Sequence, residues 1–588
     1  GDEAGTAITT GDNNVAIGYR ALDAEDTGSG NIAIGSWALS SLNNDAASYN
    51  IGIGYLTGEN ITTGTENTLI GGLAGDALTT GHYNVAVGFE ALSTEDAHGR
   101  CTALGFRALK TLNAGTDSYN VAIGFDAGRE VTTGVRNTLI GGLSGDALTT
   151  GSYNVALGYD SLAVDTLGAK AVGLGYGALS TQNFTSATDN YNVAVGFAAG
   201  NAVTTGIQNT LIGGLAGDAL RDADRNTAVG FQALTADTLG QFSTAMGYFA
   251  LGSQNFTSGT DAYNTAIGYV AGGSVTTGRF NNLFGALAGD SLTTGDSNTA
   301  IGYVSLSSDT KGERAVAVGE GALFTQNFTS ETNNYNTAVG YNAGYGVTTG
   351  VQNTLVGGLA GDALSDADNN VAIGTLALSA ETNNNGNTAV GAEALKIQNA
   401  GGGGDARNTA VGFAAGTAVT TGKLNTLIGG LAGDALNTAN SNVAVGYSAL
   451  SSDTKGDNSV AIGENALLTQ NFTSSTDSYN TAVGSNAGRA ITTGTANTFI
   501  GGLAGDAITD SDFNIAIGVN TLGQETRGSR STAIGYSALF TQNNTSATDA
   551  NNTAVGYVAG YGITTGSNNT LMGVSAGAAV TTGTNNTF

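Results

Sequence analysis

Five asparagines lie in repeated strings that could accept an N-linked glycan. The string Thr-Gln-Asn-Phe-Thr-Ser contains an Asn-x-Thr sequon, and one variant reads Thr-Gln-Asn-Asn-Thr. The sequon asparagines are Asn183, Asn255, Asn327, Asn471 and Asn543. Such a sequon on an exposed loop is a glycan acceptor in a chain that meets a suitable transferase. The competing interpretation, which we favour, is a turn rich in Asn, Ser and Thr.

Carboxylates recur in a second string, where they could bind a cation. Strings of the type Gly-Gly-Leu-Ala-Gly-Asp-Ala-Leu place an aspartate at Asp76, Asp146, Asp218, Asp290, Asp362, Asp434 and Asp506. The string is similar to the calcium-binding nonapeptide of parallel β-rolls, but its glycine spacing differs and it is not tandem. We interpret these residues, the row aspartates, as turn caps and keep calcium binding as the alternative.

Catalytic chemistry has little support. The two histidines, His82 and His98, have no second His or Cys to complete a metal site. The single cysteine, Cys101, excludes a disulfide framework and stands where other repeats carry Asn, Ser or Ala, so we interpret it as a packing substitution. The frequent Gly-x-x-x-x-Gly strings lack the Lys-Ser/Thr of a phosphate-binding loop. We predict no catalytic residue, no enzymatic activity and no required cofactor.

The spacing of one asparagine organises the whole chain. Motifs of the type Asn-Thr-Ala-Val-Gly begin about every 17 residues, and every fourth interval is lengthened to about 19 or 21 residues. Four intervals therefore form a unit of about 70 to 72 residues. Full units cover 50–119, 120–191, 192–263, 264–335, 336–407, 408–479 and 480–551, with partial units at 1–49 and 552–588. No linker interrupts the register, so we predict one continuous array over residues 1–588.

A short fixed period predicts a solenoid of stacked coils. Gly and β-branched residues in Ala-Val-Gly and Val-Thr-Thr-Gly disfavour helix. We predict an all-β parallel solenoid of about 33 coils of about 17 to 21 residues. Each coil would hold a strand over Thr-Ala-Val-Gly-Tyr and a second strand near Ala-Leu-Thr-Thr. At about 4.8 Å per coil the array would extend for about 160 Å.

Composition agrees with this fold and excludes some partners. The chain has 93 Gly for corners and no Pro, which could not donate a ladder hydrogen bond. A formal net charge of −28, with 19 basic residues, disfavours nucleic acid and keeps a long rod soluble. No run approaches the roughly 18 apolar residues that a bilayer requires, so we predict no membrane span.

Two repeated side-chain types could line a surface. The tyrosine before the motif asparagine could form a ligand-facing row or cover neighbouring aliphatic side chains. These residues are Tyr49, Tyr83, Tyr119, Tyr153, Tyr191, Tyr263, Tyr335 and Tyr479. Repeated Thr-Thr-Gly raises ice binding as a third hypothesis for function. It is the least favoured, since only one Thr of a neighbouring pair can join a given array.

The strings Asp-Asn-Ser-Val-Ala-Ile-Gly-Glu-Asn-Ala-Leu at 457–467 and Asn-Ile-Ala-Ile-Gly at Asn31 and Asn514 point to a known repeat. The chain resembles the head repeats of trimeric autotransporter adhesins, and related repeats occur in phage tail fibres and other extracellular fibrous proteins. The resemblance covers essentially the whole chain. It implies parallel β-roll coils, an extracellular or cell-surface location, association of three chains and surface attachment.

The two ends read as complementary parts of one coil. Asn586-Thr587-Phe588 opens a coil, and residues 1–11 read as the remainder of one. We hypothesise end-to-end self-assembly through Gly1, Ala7, Ile8, Thr9, Thr587 and Phe588, or a segment of a longer fibrous chain. The predicted function is therefore a structural extracellular fibre or filament subunit. The alternative is an adhesin or tail-fibre shaft that binds surface glycans through its fourth-coil loops.

Overall fold

A computed structural model describes all residues, Gly1–Phe588, and confirms the all-β parallel solenoid of about 33 coils. The chain contains no helix, so no helical segment is long and apolar enough to cross a bilayer. It divides into two compact units, Gly1–Gly295 and Asp296–Phe588. The boundary falls inside the sequence repeat 264–335, near the end of its second coil, 281–297.

The first unit consists of short strands, one per coil, with a few two-residue additions. Its three-residue strands are Val15–Ile17, Ile32–Ile34, Ile51–Ile53, Thr68–Ile70, Val85–Val87, Thr102–Leu104, Val121–Ile123, Thr138–Ile140, Val155–Leu157, Val172–Leu174, Val193–Val195, Thr210–Ile212, Thr227–Val229, Thr244–Met246, Thr265–Ile267 and Asn282–Phe284. Its two-residue strands are Gly168–Ala169, Thr188–Asp189, Gly240–Gln241 and Thr260–Asp261.

The second unit repeats the same plan. Its three-residue strands are Thr299–Ile301, Val316–Val318, Thr337–Val339, Thr354–Val356, Val371–Ile373, Thr388–Val390, Thr409–Val411, Thr426–Ile428, Val443–Val445, Val460–Ile462, Thr481–Val483, Thr498–Ile500, Ile515–Ile517, Thr532–Ile534, Thr553–Val555 and Thr570–Met572. Its two-residue strands are Gly312–Glu313, Thr332–Asn333, Asn384–Asn385, Gly404–Asp405, Gly456–Asp457, Thr476–Asp477, Gly528–Ser529 and Thr548–Asp549.

Within each unit the three-residue strands of successive coils pair in parallel and in register. For example, Thr138–Ile140 pairs residue by residue with Val155–Leu157. The middle residue of each strand points inward, and Leu139 and Ala156 are fully buried. Because every coil repeats this placement, small apolar side chains stack into a narrow core of mostly Ala and Leu.

The second strand predicted near Ala-Leu-Thr-Thr is wrong, because that part of the coil is a series of turns. In the coil that begins at Asn137, Leu143 has φ 57° and Gly145 has φ 56°. Left-handed residues this close together turn the chain back before an extended strand can form. The turns still bond to the next coil: the Thr149 N–H donates to the Thr166 carbonyl at 2.8 Å.

The glycine that follows each three-residue strand sets how closely the coils approach at that corner. Gly141 has φ 133°, a conformation open almost only to glycine. A Cβ added there would lie 2.4 Å from the Gly158 carbonyl oxygen of the next coil. This residue, which we call the motif glycine, is thus required both by its φ angle and by the contact between coils.

Two neighbouring glycines give a matched test of this requirement. Gly141→Ala should lower the free energy of local opening of its coil by about 2 kcal/mol or more, because both backbone strain and a backbone clash are introduced. Gly142→Ala should change it by less than about 0.5 kcal/mol, as expected for a surface change. Its added Cβ would lie 3.3 Å from the Tyr159 ring and 3.9 Å from the Phe125 carbonyl oxygen, with no backbone atom closer. Hydrogen exchange of the flanking coils measures both values, and equal losses would contradict the assignment.

Candidate functional site

Asparagine side chains are buried one above another between the coils. The Asn137 Nδ2 donates to the Gly151 carbonyl of its own coil at 2.9 Å. Its Oδ1 accepts from the Asn154 backbone N–H of the next coil, also at 2.9 Å. In the same way, the Asn137 backbone N–H donates to the Asn120 Oδ1 at 2.8 Å. One amide thus closes its own coil and holds the next one, and we call this series the asparagine ladder.

The same geometry recurs along both units. An Nδ2 bond to the residue 14 positions later is made by Asn14, Asn50, Asn67, Asn120, Asn154, Asn192, Asn226, Asn264, Asn336, Asn408, Asn442, Asn480, Asn514, Asn552 and Asn569, among others.

A buried carboxylate and a glutamine extend the ladder at six fourth coils, five of which have no asparagine at the ladder position. The exception carries Asn387, which accepts from the Asn408 backbone N–H at 3.1 Å. At Ala171 the ladder position carries no amide. The Gln182 Nε2 donates to the Asp165 Oδ2 at 2.6 Å, and its Oε1 accepts from the Asn192 Nδ2 at 2.9 Å. Gln182 precedes the insertion and stands at the coil position that Leu148 occupies in the second coil, so the fourth coil has a buried amide where the second has an apolar side chain.

This carboxylate–glutamine–asparagine relay occurs six times, always with buried members. The other copies are Asp237–Gln254–Asn264, Asp309–Gln326–Asn336, Glu381–Gln398–Asn408, Asp453–Gln470–Asn480 and Glu525–Gln542–Asn552. The sequence shows the acidic residues in the third coil, but sequence reasoning gave them no role. The pattern that could have revealed the relay is that each acidic residue stands one coil period before a glutamine.

The sequence-predicted row aspartates are half-buried and stand one to each four-coil unit. Burial raises the pKa of Asp76 to about 6, and nearby Glu59 and Glu90 raise it further. Burial also raises the pKa of Asp146, Asp218, Asp362, Asp434 and Asp506. No group of three acidic, His or Cys ligands converges at any row aspartate. Calcium binding at this row stays a prediction.

Glu95, Asp96 and His98 bring three possible ligand atoms within 4.8 Å of one another. The Glu95 carboxylate, however, already accepts the backbone N–H groups of His98 and Ala114, both at 3.2 Å. Glu95 occupies the position of the relay acids Asp165 and Asp237. Its hydrogen bonds therefore give it the same structural role, bracing the turn of its own coil and the insertion of the next.

The sequon asparagines lie at the start of the fourth-coil insertion. Asn255, Asn327 and Asn471 are exposed, whereas Asn183 and Asn543 are half-buried. The middle residue of a sequon is an anchor: Phe184 is only 4% exposed. Residues 185–187 beyond it are exposed. The base of the insertion is therefore held in the core by its buried middle residue, while its tip is exposed to solvent. Glycosylation stays a prediction.

The predicted tyrosine row is exposed, and several of its rings lie beside cations. The Arg100 guanidinium lies 5.5 Å from the Tyr83 ring and 5.4 Å from the Tyr119 ring. Arg136 lies 6.0 Å from Tyr119 and 5.3 Å from Tyr153. Cation–π attraction between coils is thus added to the backbone ladder along one edge of the strand face. Tyr49, Tyr191, Tyr263, Tyr335 and Tyr479 are also exposed.

The first threonine of many Thr-Thr-Gly strings is used within the solenoid. The Thr132 Oγ1 donates to the Thr149 carbonyl at 3.2 Å, and the Thr149 Oγ1 donates to the Thr166 carbonyl at 2.9 Å. These hydroxyls cap carbonyl groups of the next coil. Ice binding through both threonines of a pair therefore has no support from the geometry.

The residues of the end-to-end hypothesis lie in the first and last coils. Gly1 stacks on Gly18 in motif-glycine register. The Thr9 N–H donates to the Asp26 carbonyl at 2.8 Å, and the Phe588 N–H donates to the Thr570 carbonyl at 2.9 Å. Thr587 bridges to Thr570. Ala7 and Ile8 lie beside Thr9 in the first coil. A contact between protomers through these residues stays a prediction.

No protein-family model matches the sequence, and the search of curated proteins finds no significant match.

Removal of one ladder amide tests its importance. Asn137→Ala should lower the free energy of local opening of its coil by about 2–4 kcal/mol, because the Gly151 carbonyl and the Asn154 N–H are left buried without partners. Hydrogen exchange of the adjoining coils measures the loss. The matched surface control is the half-buried Thr138→Ala. An Asn137→Ala loss no larger than that of the control would contradict the ladder assignment.

The row aspartates predict how stability depends on pH. A folded-state pKa above the unfolded value means that the protonated aspartic acid favours the folded state. The contribution of Asp76 is therefore present below about pH 4 and is lost as the pH rises through about 6. Replacing Asp76, Asp146, Asp218, Asp362, Asp434 and Asp506 by Asn should raise the thermal midpoint at about pH 8 and leave it unchanged below about pH 4.

Asp12→Asn, an exposed change, is the control for that series. The midpoints of the Asn-row variant, the control and the wild-type chain are compared across the same buffers. A gap between variant and wild type that stays constant from acid to alkaline pH would contradict the role of burial.

Proposed function

We propose that this chain forms the stiff shaft of an extracellular fibre, assembling end to end or serving as part of a longer fibrous chain. The observation that carries the proposal is the asparagine ladder, which joins coil to coil by buried hydrogen bonds throughout each unit. A solenoid whose successive coils are joined by repeated hydrogen bonds resists bending and local opening along its length. That is the mechanical property that a shaft requires.

Surface chemistry is in keeping with this role. The formal net charge of −28 disfavours close lateral packing of unscreened shafts. Fourth-coil insertions repeat the same exposed tips along the molecule. The resemblance to the head repeats of autotransporter adhesins supports an extracellular or cell-surface location.

A second candidate function is an adhesive shaft that contacts surface glycans. The observation in its favour is the repetition of exposed insertion tips, such as residues 185–187, at a fixed spacing. Repeated weak sites on a stiff support can bind a polymer far more tightly than one site alone.

Electron microscopy of the purified chain tests the fibre proposal. We expect uniform rods, and end-to-end assembly would give filaments much longer than the roughly 160 Å that about 33 coils span at about 4.8 Å each. Compact particles or flexible threads would contradict the shaft. Rods of one chain length would favour a segment of a longer fibre over end-to-end assembly. The Asn137→Ala variant provides a comparison in which one coil contact is weakened.

A further inference from the structure

Exposed aromatic rings beside the motif glycines form interrupted stacks on the first unit. The rings of Phe89, Phe106 and Phe125 have centroid separations of 5.7 and 5.3 Å with interplanar angles of 16° and 5°. The next stack, Tyr159–Tyr176–Phe197, has separations of 5.7 and 5.3 Å. The third stack is Phe231–Tyr248–Tyr269.

The two interruptions between these three stacks each fall on a second-coil glycine, so one ring is missing between neighbouring stacks. Gly142 separates Phe125 from Tyr159, which are 54% and 52% exposed. The backbone continues unbroken through the gap: the Leu143 N–H donates to the Phe125 carbonyl at 2.9 Å, and the Asp160 N–H donates to the Gly142 carbonyl at 3.1 Å. Only a side chain is absent, and the gap is a slot with two ring walls.

The two walls are spaced for one ring between them. Phe125 and Tyr159 are two coils apart, which offsets their backbones by about 10 Å along the coil axis. A ring centred between them would lie about 5 Å from each wall, close to the 5.3–5.7 Å separations within the neighbouring stacks. Gly142 contributes only backbone at the base of the slot, and the half-buried Leu143 follows it at the coil position next to the rings.

A polar side chain follows the second wall of each slot. Asp160 follows Tyr159, and Gln232 follows Phe231 at the slot of Gly214. Side chains at this coil position lie beside the rings, since the Arg107 guanidinium sits 4.7 Å over the Phe106 ring. Carboxylate and amide groups there can accept hydrogen bonds from hydroxyl groups of a ligand.

We propose that these slots bind pyranose rings of a neutral polysaccharide. A pyranose offers C–H groups to the electron-rich faces of two aromatic walls and hydroxyls to the polar group at the rim. An aromatic side chain of a partner protein would also fit between the walls, but it would offer no hydrogen-bond donor to Asp160 or Gln232. The acidic net charge of the chain disfavours an anionic polymer.

Four slots have aromatic residues on both neighbouring coils, at Gly72, Gly142, Gly214 and Gly430. Gly142 and Gly214 are four coils apart, about 19 Å along the coil axis of the first unit. A single open slot binds weakly, and the three slots of the first unit, repeated at one spacing, would together bind a polymer by avidity. This inference goes beyond the shaft proposal and places glycan contact away from the fourth-coil insertions.

Filling the slots tests the proposal. Gly72→Phe, Gly142→Phe, Gly214→Phe and Gly430→Phe together would insert the missing rings. None of these glycines has a positive φ, and an added Cβ would approach the neighbouring ring no closer than 3.3 Å. The matched control is Gly358→Phe with Gly502→Phe, at the same coil position. Thr375 replaces one wall at Gly358, and Ser485 and Val519 replace both walls at Gly502.

Affinity electrophoresis through gels that contain xyloglucan, galactomannan, mixed-linkage β-glucan or dextran measures binding. We expect at least one polymer to retard the wild-type chain and the control equally, and the slot-filled variant to bind about tenfold more weakly or not at all. Retardation by none of the polymers, or equal retardation of the slot-filled variant, would overturn the proposal. Retention on an immobilised aromatic peptide instead would also overturn it, in favour of a protein partner.

A second variant keeps the test valid if the filled slots disturb folding. Tyr159→Leu with Phe231→Leu removes one wall from two slots and keeps an apolar side chain, so weaker retardation is again expected. Electron microscopy of each variant separates the two proposals. If the wild-type chain forms rods but binds no polysaccharide, the slot proposal is contradicted and the shaft proposal stands. If the wild-type chain forms no rods, the shaft proposal is contradicted.

Discussion

The fold depends on satisfying the buried peptide groups at the corner where each coil closes. A coil of about 17 residues with only three in a strand leaves corner carbonyls and N–H groups out of reach of water, and such groups are costly without partners. The ladder asparagine meets this need with one side chain. Its amide nitrogen binds the closing carbonyl, as Asn137 binds Gly151, and its oxygen binds the next coil at Asn154. The short strand and the motif glycine of each coil are compatible with these two hydrogen bonds.

The relay in the fourth coil follows the same requirement. Where Ala171 removes the amide, Gln182 supplies a replacement and Asp165 holds its nitrogen. Burial raises the pKa of Asp165, although its bond from Gln182 and its backbone bonds act in the opposite direction. The lengthened coil thus contributes to the buried hydrogen bonds as well as to the surface. Its base restores the ladder, and its tip is free to vary.

Much of this architecture could be predicted from the sequence. The regular return of Asn, the glycine after Ala-Val and the absence of Pro together predict parallel stacked coils, because each is a backbone requirement that repeats visibly. The predicted second strand failed because β-branched Thr-Thr suggested extension, whereas Leu143 and Gly145, just before it, adopt left-handed conformations that fold this part of the coil into turns. A leucine at positive φ has no signature in residue type.

The side-chain arrangements were harder to foresee. The Asp165–Gln182 bond joins residues on different coils, and recognising it requires knowing that the residue one coil period onward lies directly above. The aromatic slots have the same origin: Phe125, Gly142 and Tyr159 are inconspicuous in sequence, and their meaning comes from stacking. Once the coil register is fixed, however, both arrangements can be read from the aligned repeats.

The measurement that tests the account most directly is X-ray diffraction from aligned samples of the chain. Coils that stack along the long axis of a stiff shaft predict a meridional reflection at about 4.8 Å, with a weaker axial repeat of about 19 Å from the four-coil unit. A reflection of the inter-coil spacing on the equator, or none at all, would contradict a shaft built from coils held by the asparagine ladder.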